Sequence, residues 1–415
     1  MSASAGMRFV DPNGRLLLDW PRPEGIGPHG WHTSYRFHQP DLERVLRARL
    51  HERPSVEVRA STEAVGIDAG AGGVRLTLAD RTRRPEYDVE AAFVVGCDGA
   101  RSFVRREIGG GFEDHGFDER WLVVDLILHG EKPELGDHSI QHCDPRRPVT
   151  YVRGPGRRRR FEITLLDGES DAEMTRPESV WPCLGRWLQP HEAVIERAAV
   201  YTFHALLAGQ WRRDRLLIAG DAAHQTPPFM GQGMCTGIRD AANLAWKLAL
   251  VVRGESDAGL LDSYQGERLA HARSYIETAV RLGRLINAAD SRSALEAAMP
   301  AGGGGATMRS IRPSLGPGPG SGRLRGTLFD QPLLADGRRL DDAVNYAPVL
   351  LTGPRSFHRL DPPAGVDLFR GGEGSDIARA LEEAGTDAVL LRPDRYVHAS
   401  IDIGDENAAG LHWPP

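Results

Sequence analysis

RLLIAGDAAHQTPPFMGQGMCTGIRDAANLAWKLALVVRGE, residues Arg215 to Glu255, is the stretch whose reading decides the fold. Leu216 to Ala219 is a short apolar run of the kind buried in a sheet, and Gly220 releases the backbone where a carboxylate appears at Asp221. Pro227 and Pro228 stiffen the next turn, while Gly231 and Gly233 permit close backbone approach before a helix begins. From Ile238 onward, Ala241, Ala242, Ala245, Leu248, Ala249 and Val252 recur on one helical face. Their small size predicts a helix lying close against a sheet on that face. The unpaired N–H groups near Gly233 and Met234 would point at whatever occupies the crevice, favouring an anion or a polarised carbonyl. Gly-Asp alone is also an ordinary turn; the whole constellation suits a phosphorylated or hydroxyl-rich cofactor.

This segment resembles the second FAD-binding motif of the aromatic-ring flavoprotein monooxygenases, and the chain resembles most the 3-(3-hydroxyphenyl)propionate hydroxylase group. The resemblance extends in the family's order through GMRFVDPNGR (Gly6 to Arg15), YRFHQPDLERVLR (Tyr35 to Arg47), VVGCDGARSFVRREIG (Val94 to Gly109), DERWLVVDL (Asp118 to Leu126) and LLDSYQGERLAHAR (Leu260 to Arg273). It implies an α/β FAD/NAD(P)-binding aromatic hydroxylase fold with an antiparallel substrate sheet and a thioredoxin-like C-terminal domain. It further implies that Asp221 binds the ribityl hydroxyls, with Gly220, Pro228, Gly231, Gly233 and Met234 around the flavin. Asp98, Gly99 and Arg101 would serve the cofactor's other side and the nicotinamide donor, and Gln39 and Arg47 resemble positions beside the cofactor. For Gln39 and Arg47 a surface helix start and a solvated arginine remain an equal reading. His224, in the string GDAAH, reads as packing at the flavin pocket rather than as a general base. The activity implied is hydroxylation of a phenolic acid such as 3-(3-hydroxyphenyl)propionate, using FAD, NADH or NADPH, and O2.

One expected piece is not found in the sequence. The family opens with a strand, a GxGPxG turn and a helix for the FAD pyrophosphate, whereas no such fingerprint occurs before Gly99. Gly25, Gly27 and Gly30 lack the flanking apolar strand and helix that the fingerprint requires, so they read as a loop. The expectation is that the true start lies upstream or that the chain belongs to an N-terminally incomplete protein that cannot hold FAD normally. The alternative function that follows is a non-catalytic protein acting through a binding or dimerisation surface.

The organisation expected is a partial FAD-binding domain with the Asp-Gly motif over 1–117, a substrate-binding β-sheet domain over 118–205, and the second part of the FAD-binding domain over 206–300. A Gly/Pro-rich connector follows over 301–326, then the thioredoxin-like domain over 327–415, where Pro393 and Asp394 read as a turn. In the substrate sheet, Trp121, Tyr151, Arg153, Tyr201, Phe203 and His204 are candidates for the inner face; Tyr151, Arg153 and His204 are the substrate residues taken forward. Period two does not say which face is inner. Arg157 to Arg160 reads as a solvated hairpin turn, with an anion contact as the alternative.

Composition sets the outer limits. A chain of 415 residues with 40% apolar and 26% charged residues supports two or three domains with sizeable cores. A formal charge of −6 gives no footprint for nucleic acid. Cys97, Cys143, Cys183 and Cys235 form no CxxC pair and read as free thiols in a reducing compartment, with no metal site. No 18-residue apolar span is present, so the expected location is the cytoplasm, with a homodimer as the possible assembly.

Overall fold

The computed structural model describes every residue except 71, 82–84, 289–292, 294–305, 357–359, 403–412 and 414–415. The first five residues of the expected connector therefore lie outside the described residues. In chain order the elements that matter are β1 (Gly6–Val10), β2 (Leu16–Pro21), α1 (Gln39–His51), β3 (Val94–Gly96), α2 (Phe103–Ile108), β4 (Phe112–Leu128), β5 (Ser139–His142), β6 (Val149–Arg153) and β7 (Arg158–Thr164). There follow α3 (Pro177–Leu184), β8 (Ala193–Ala208), β9 (Leu216–Ile218), α4 (Gly233–Val252) and α5 (Asp262–Ile286). The C-terminal unit holds β10 (Val349–Thr352), β11 (Asp367–Arg370), α6 (Asp376–Ala384), β12 (Thr386–Leu391) and β13 (Val397–Asp402).

A nine-stranded sheet dominates, in the order His224–Gln225, β8, β4, β7, β6, β5, β1, β2, Ala306–Thr307. It is antiparallel except where β5 runs parallel to β1 and Ala306–Thr307 parallel to β2. The expected boundaries at 117/118 and 205/206 fall inside the continuous strands β4 and β8. The first strands of the chain, β1 and β2, join this sheet rather than the nucleotide-binding part. Alternation separates the two faces of the sheet. Leu122, Val124, Leu126, Tyr151 and Phe161 pack with Val180 and Leu184 of α3, whereas Trp121 and Phe9 pack with Phe229 and with Leu282, Leu285 and Ile286 of α5.

The second sheet is small: β9 lies between the short strand Arg212–Arg213 and β3, parallel to β3 with Ile218 opposite Gly96. Among the described residues β3 pairs with β9 alone. A separate three-stranded antiparallel sheet (Thr62–Gly70, Gly73–Asp80, Tyr87–Ala91) precedes it. Tyr87–Ala91 and β3 are two separate strands, split at Ala92–Phe93. Helix α1 starts at Gln39 with Pro40 in its first turn and buries none of its residues; Val45, Leu46 and Leu50 are exposed.

Helices α4 and α5 lie behind the β9 turn. The small-residue face read from the sequence of α4 is not the buried one: Ala241, Ala242 and Ala245 are exposed, and Thr236, Asp240, Asn243, Leu244, Trp246 and Lys247 are buried. Burying charge is unfavourable unless each group is paired. Here Asp240 meets Arg268, and Lys247 meets Glu267, with every one of these side chains fully buried. The C-terminal unit is a four-stranded mixed sheet, order β11, β10, β12, β13, with α6 capped by Ser375 and inserted through Ile377 and Leu381. Its Arg392-Pro393-Asp394 turn docks on α5, with Arg392 making a bidentate pair with Glu267 at 2.7 and 2.9 Å.

Candidate cofactor and substrate site

The site is built at the C-terminal ends of two adjacent parallel strands. Ala219 N–H donates to the Gly96 carbonyl, which sets the turn after β9 beside the loop after β3. Gly220 adopts φ 63°, a left-handed conformation that glycine takes without steric cost, and the chain then makes a single 3₁₀ turn through Asp221 and Ala222. Asp221 reaches solvent at the rim of the turn. Desolvation raises its pKa above the usual carboxylate value, while the charge of His224 works against that rise.

Asp98 and Gly99 form the neighbouring wall. The Asp98 carboxylate accepts from the N–H groups of Phe103 and Val104, so it caps α2. Arg101 is exposed; the arginine one turn further on is the one that ties the two loops together. Arg105 donates to the Ala222 carbonyl at 2.9 Å and to the Ala100 carbonyl at 2.7 Å. Arg105, rather than Arg101, makes the contacts that join the two loops.

After the turn, Pro228, Phe229 and Met230 form a 3₁₀ turn closed by Gly231 at φ 60°, and α4 begins at Gly233 without a side-chain cap. A Cβ at Gly231, Gly233 or Gly99 would meet nothing within 4 Å, so the backbone there borders open space. Two buried polar atoms in this loop, Thr226 Oγ1 and Gln232 Oε1, have no hydrogen-bond partner. Unpaired polar atoms beside uncapped helix N–H groups suit a polar ligand. Met234 is exposed at the same helix start. Gln39 and Arg47 both engage Glu43 on α1, at 2.9 and 3.6 Å, and among the described residues none of their hydrogen bonds or ion pairs reaches either loop.

His224 is fully buried, its Nε2 2.6 Å from Asp240 Oδ2, and its ring lies against Trp211. A buried, paired imidazole is a packing element, as its sequence context suggests. Its strand, His224–Gln225, pairs with Leu206 and Leu207 at the edge of the large sheet and so sets that sheet over the site.

The face of the sheet turned toward this loop is the one carrying Trp121. Phe229 packs edge-on against Phe117 at 5.4 Å and against Trp121 at 5.7 Å. Glu119 accepts from the Trp121 indole N–H at 3.0 Å, and desolvation raises its pKa. Strand register puts Tyr201 opposite Trp121 and Phe203 opposite Glu119, with the rings of Tyr201 and Phe203 stacked. On the same face Glu162 is buried opposite Val123, and desolvation pushes its pKa up to about 7.

Tyr151, Arg153 and His204, expected at the substrate, are not brought together with this wall. Tyr151 lies opposite Phe161 in the core that packs on α3, Arg153 lies two residues on along the same strand, and His204 lies opposite Asp118. All three alternate to the face away from Trp121. Arg153 is spent on Asp137 and on the carbonyls of Gly154 and Gly156. Of the run Arg157 to Arg160, Arg157 lies exposed in the hairpin turn as expected, while the others belong to β7: Arg158 pairs with Glu196, Arg159 is buried, and Arg160 pairs with Asp125. The aromatic partner missed in the sequence was Phe229, whose signal was an aromatic directly after Pro-Pro in the glycine-flanked loop.

The four cysteines are free thiols, and among the described residues no group of three or more His, Cys, Asp or Glu side chains could hold a metal ion. No helix among the described residues is long and apolar enough to cross a membrane.

Residues 14–279 match the family described as FAD binding domain. A probable NADH-specific resorcinol 4-hydroxylase of Rhodococcus jostii (strain RHA1) is 41% identical over 291 residues, covering 70% of this chain and 54% of its own length. A 3-(3-hydroxy-phenyl)propionate/3-hydroxycinnamic acid hydroxylase of Klebsiella pneumoniae (strain 342) is 38% identical over 282 residues, 68% of this chain and 50% of its own. The chain thus spans about half the length of the curated relatives it matches. Among solved structures, a ternary complex of aklavinone-11 hydroxylase with FAD and aklavinone superposes with a TM-score of 0.72 at 22% identity, covering 96% of this chain and 82% of that one.

Proposed function

The chain belongs to the FAD binding domain family, and from that premise we propose that it holds the flavin-ring end of an FAD-dependent aromatic-ring monooxygenase, acting on a phenolic compound with NADH or NADPH and O2. The observation that carries the reading is the exposed Asp221 carboxylate, set by left-handed Gly220 at the end of a parallel strand, in a turn packed against the helix whose start is glycine-flanked and uncapped.

The residues present fit the ribityl and ring end of FAD. Asp221 would accept hydrogen bonds from the ribityl hydroxyls, and the N–H groups at Gly233 and Met234 would face the polarised carbonyls of the ring. Thr226 and Gln232 supply the unpaired polar atoms that such a ligand would satisfy. The described residues include no strand, glycine loop and helix for the pyrophosphate. When bound, the flavin supplies the redox chemistry and the activation of oxygen. The chain's own part is to place the phenol and to exclude water, for which Trp121, Phe117, Phe229 and Met230 form an apolar wall. Glu119, whose carboxylate accepts from Trp121 and Asn287, would accept a further hydrogen bond from a phenol hydroxyl at that wall.

On substrate class, the ion pairs favour an uncharged diphenol over the phenolic acid expected from the sequence. Arg160 and Arg197 on the Trp121 face share Asp125, and Arg160 also lies 4.0 Å from Glu162, so both guanidiniums already have carboxylate partners within the sheet. Equimolar FAD uptake, followed by the flavin absorption band, together with NADH oxidation in the presence of resorcinol, is the expected result. Asp221→Ala should weaken FAD binding at least tenfold. Absence of a flavin band at saturating FAD, with no NADH oxidation for any phenol, would overturn the reading and favour a non-catalytic binding role. Turnover of 3-(3-hydroxyphenyl)propionate in preference to resorcinol would overturn the neutral-substrate assignment alone.

A further inference from the structure

The turn that presents Asp221 is held from behind by a buried carboxylate on a different element. Asp240, one face of α4, is fully buried. Its Oδ2 accepts from the Gly220 backbone N–H at 3.0 Å and lies 2.6 Å from His224 Nε2; its Oδ1 accepts from Arg268 Nε at 2.8 Å. His224 Nδ1 has no partner, so the Nε2–H tautomer donating to Asp240 satisfies the geometry. One carboxylate therefore grips both sides of the turn, at Gly220 just before Asp221 and at His224 three residues after it.

Two further contacts act in the same place. A Cβ on Gly237 would stand 3.2 Å from the Gly220 Cα, so α4 and the turn approach backbone to backbone. Tyr264 of α5 donates its hydroxyl to the Ile218 carbonyl at 2.9 Å, which fixes the end of β9. Arg268 is fully buried and also donates to the Thr236 carbonyl, so the cation that balances Asp240 is itself anchored across α4 and α5.

We propose that Asp240 is a positioning residue for the cofactor turn: with Arg268 as its fixed counter-charge, it sets the Gly220 backbone in the one conformation that aims Asp221 at the ribityl chain. This rests on the FAD reading for its ligand, but the grip on Gly220 does not. The residue acts through Asp221 and touches no cofactor atom. The cost of burying Asp240 is met by three donors, and losing the full charge would leave Arg268 as an unbalanced buried cation.

Asp240→Asn, which keeps the shape and removes the charge, is the test, with Arg268→Lys as a milder variant should the first fold poorly. Glu267→Gln serves as control: it lies one residue from Arg268 on α5 and perturbs helix packing without touching the turn. Two readouts are made on each full chain: hydrogen exchange of the Gly220 amide, and FAD affinity from quenching of FAD fluorescence. Taken relative to each variant's own global unfolding free energy, the expected result is at least tenfold faster Gly220 exchange and at least tenfold weaker FAD binding in Asp240→Asn, the same direction and a smaller size in Arg268→Lys, and neither change in Glu267→Gln. Unchanged Gly220 exchange and FAD affinity in Asp240→Asn, or an equal loss in Glu267→Gln, would overturn the proposal. If the unmodified chain takes up no FAD, the flavin reading fails by itself, and Gly220 exchange still decides whether Asp240 holds the turn.

Discussion

Glu267→Gln tests the buried charge cluster that joins α5 to the C-terminal unit. The Glu267 carboxylate accepts from Lys247 Nζ at 2.8 Å, from Asn243 Nδ2 at 2.8 Å and from two N–H groups of Arg392 at 2.7 and 2.9 Å. Desolvation would raise its pKa, but Arg392 and Lys247 outweigh that and hold it down to about 2. Removing the charge has unequal consequences for the two cations. Arg392 keeps Asp394, with contacts at 2.9 and 2.6 Å, whereas Glu267 is the carboxylate in contact with Lys247. Stranding one member of a buried pair costs about 3–5 kcal/mol. Lys247 can limit that cost by releasing its proton. Taking a lysine from its ordinary 10.5 to neutral costs about 1.4 kcal/mol per pH unit, hence a ceiling of about 5 kcal/mol at pH 7 and about 2 kcal/mol at pH 9. Burial already lowers the Lys247 pKa to about 8, so the unmodified protein gains stability as pH rises from 8 toward 10.5; the penalty of the variant shrinks as pH rises from 7 through 8, above which both proteins hold a neutral lysine. Urea unfolding followed by circular dichroism at both pH values measures it. A penalty under about 1 kcal/mol at pH 7, or one as large at pH 9 as at pH 7, would refute the reasoning.

Two other changes have definite expected outcomes. Glu162 is displaced in the opposite direction from Glu267, because desolvation dominates and pushes its pKa up to about 7. A raised carboxyl loses stability as pH rises from 4.5 through 7, so Glu162→Gln should match the unmodified protein near pH 5 and exceed it by up to about 3 kcal/mol at pH 8; equal stability at both values in urea unfolding would contradict this. Tyr151 is buried with Arg159 beside its hydroxyl, so Tyr151→Phe should lower stability by about 1 kcal/mol and leave the KM for a phenol unaltered; a tenfold rise in KM would return Tyr151 to the substrate site.

Local chemistry was legible where a residue's role depends on its chain neighbours. Gly220 with Asp221, the Pro227 to Gly233 loop, the proline start of α1 and the extents of α4 and α5 all follow from turn and helix rules that act within a few positions. The Asp98-Gly99 loop, expected on the cofactor's other side, lies beside the Asp221 turn, and the Asp98 carboxylate is committed to the first N–H groups of α2, next to the N-cap Ser102. Domain boundaries were not legible, because β4 and β8 are long enough to run from one domain into the next without a break in pattern.

The errors at the site share one cause, which is that face selection is a long-range property. A strand of alternating residues reads identically from either side, and only the position of Phe229, reached through the loop after Asp221, shows that Trp121 faces the site and Tyr151 does not. Helix α4 is the sharper case. Its alanines look like the packing face, and Asp240, Asn243 and Lys247 at spacings of three and four look like the solvated one. The assignment reverses because their partners Arg268, Glu267 and Asp394 lie up to 151 positions away and convert a costly face into a satisfied one. A polar stripe on an otherwise apolar helix is therefore a reason to look for matching charges elsewhere in the chain. Here the adjacent Glu267 and Arg268 on α5 are that match, one joined to the C-terminal unit and the other to the turn that presents Asp221.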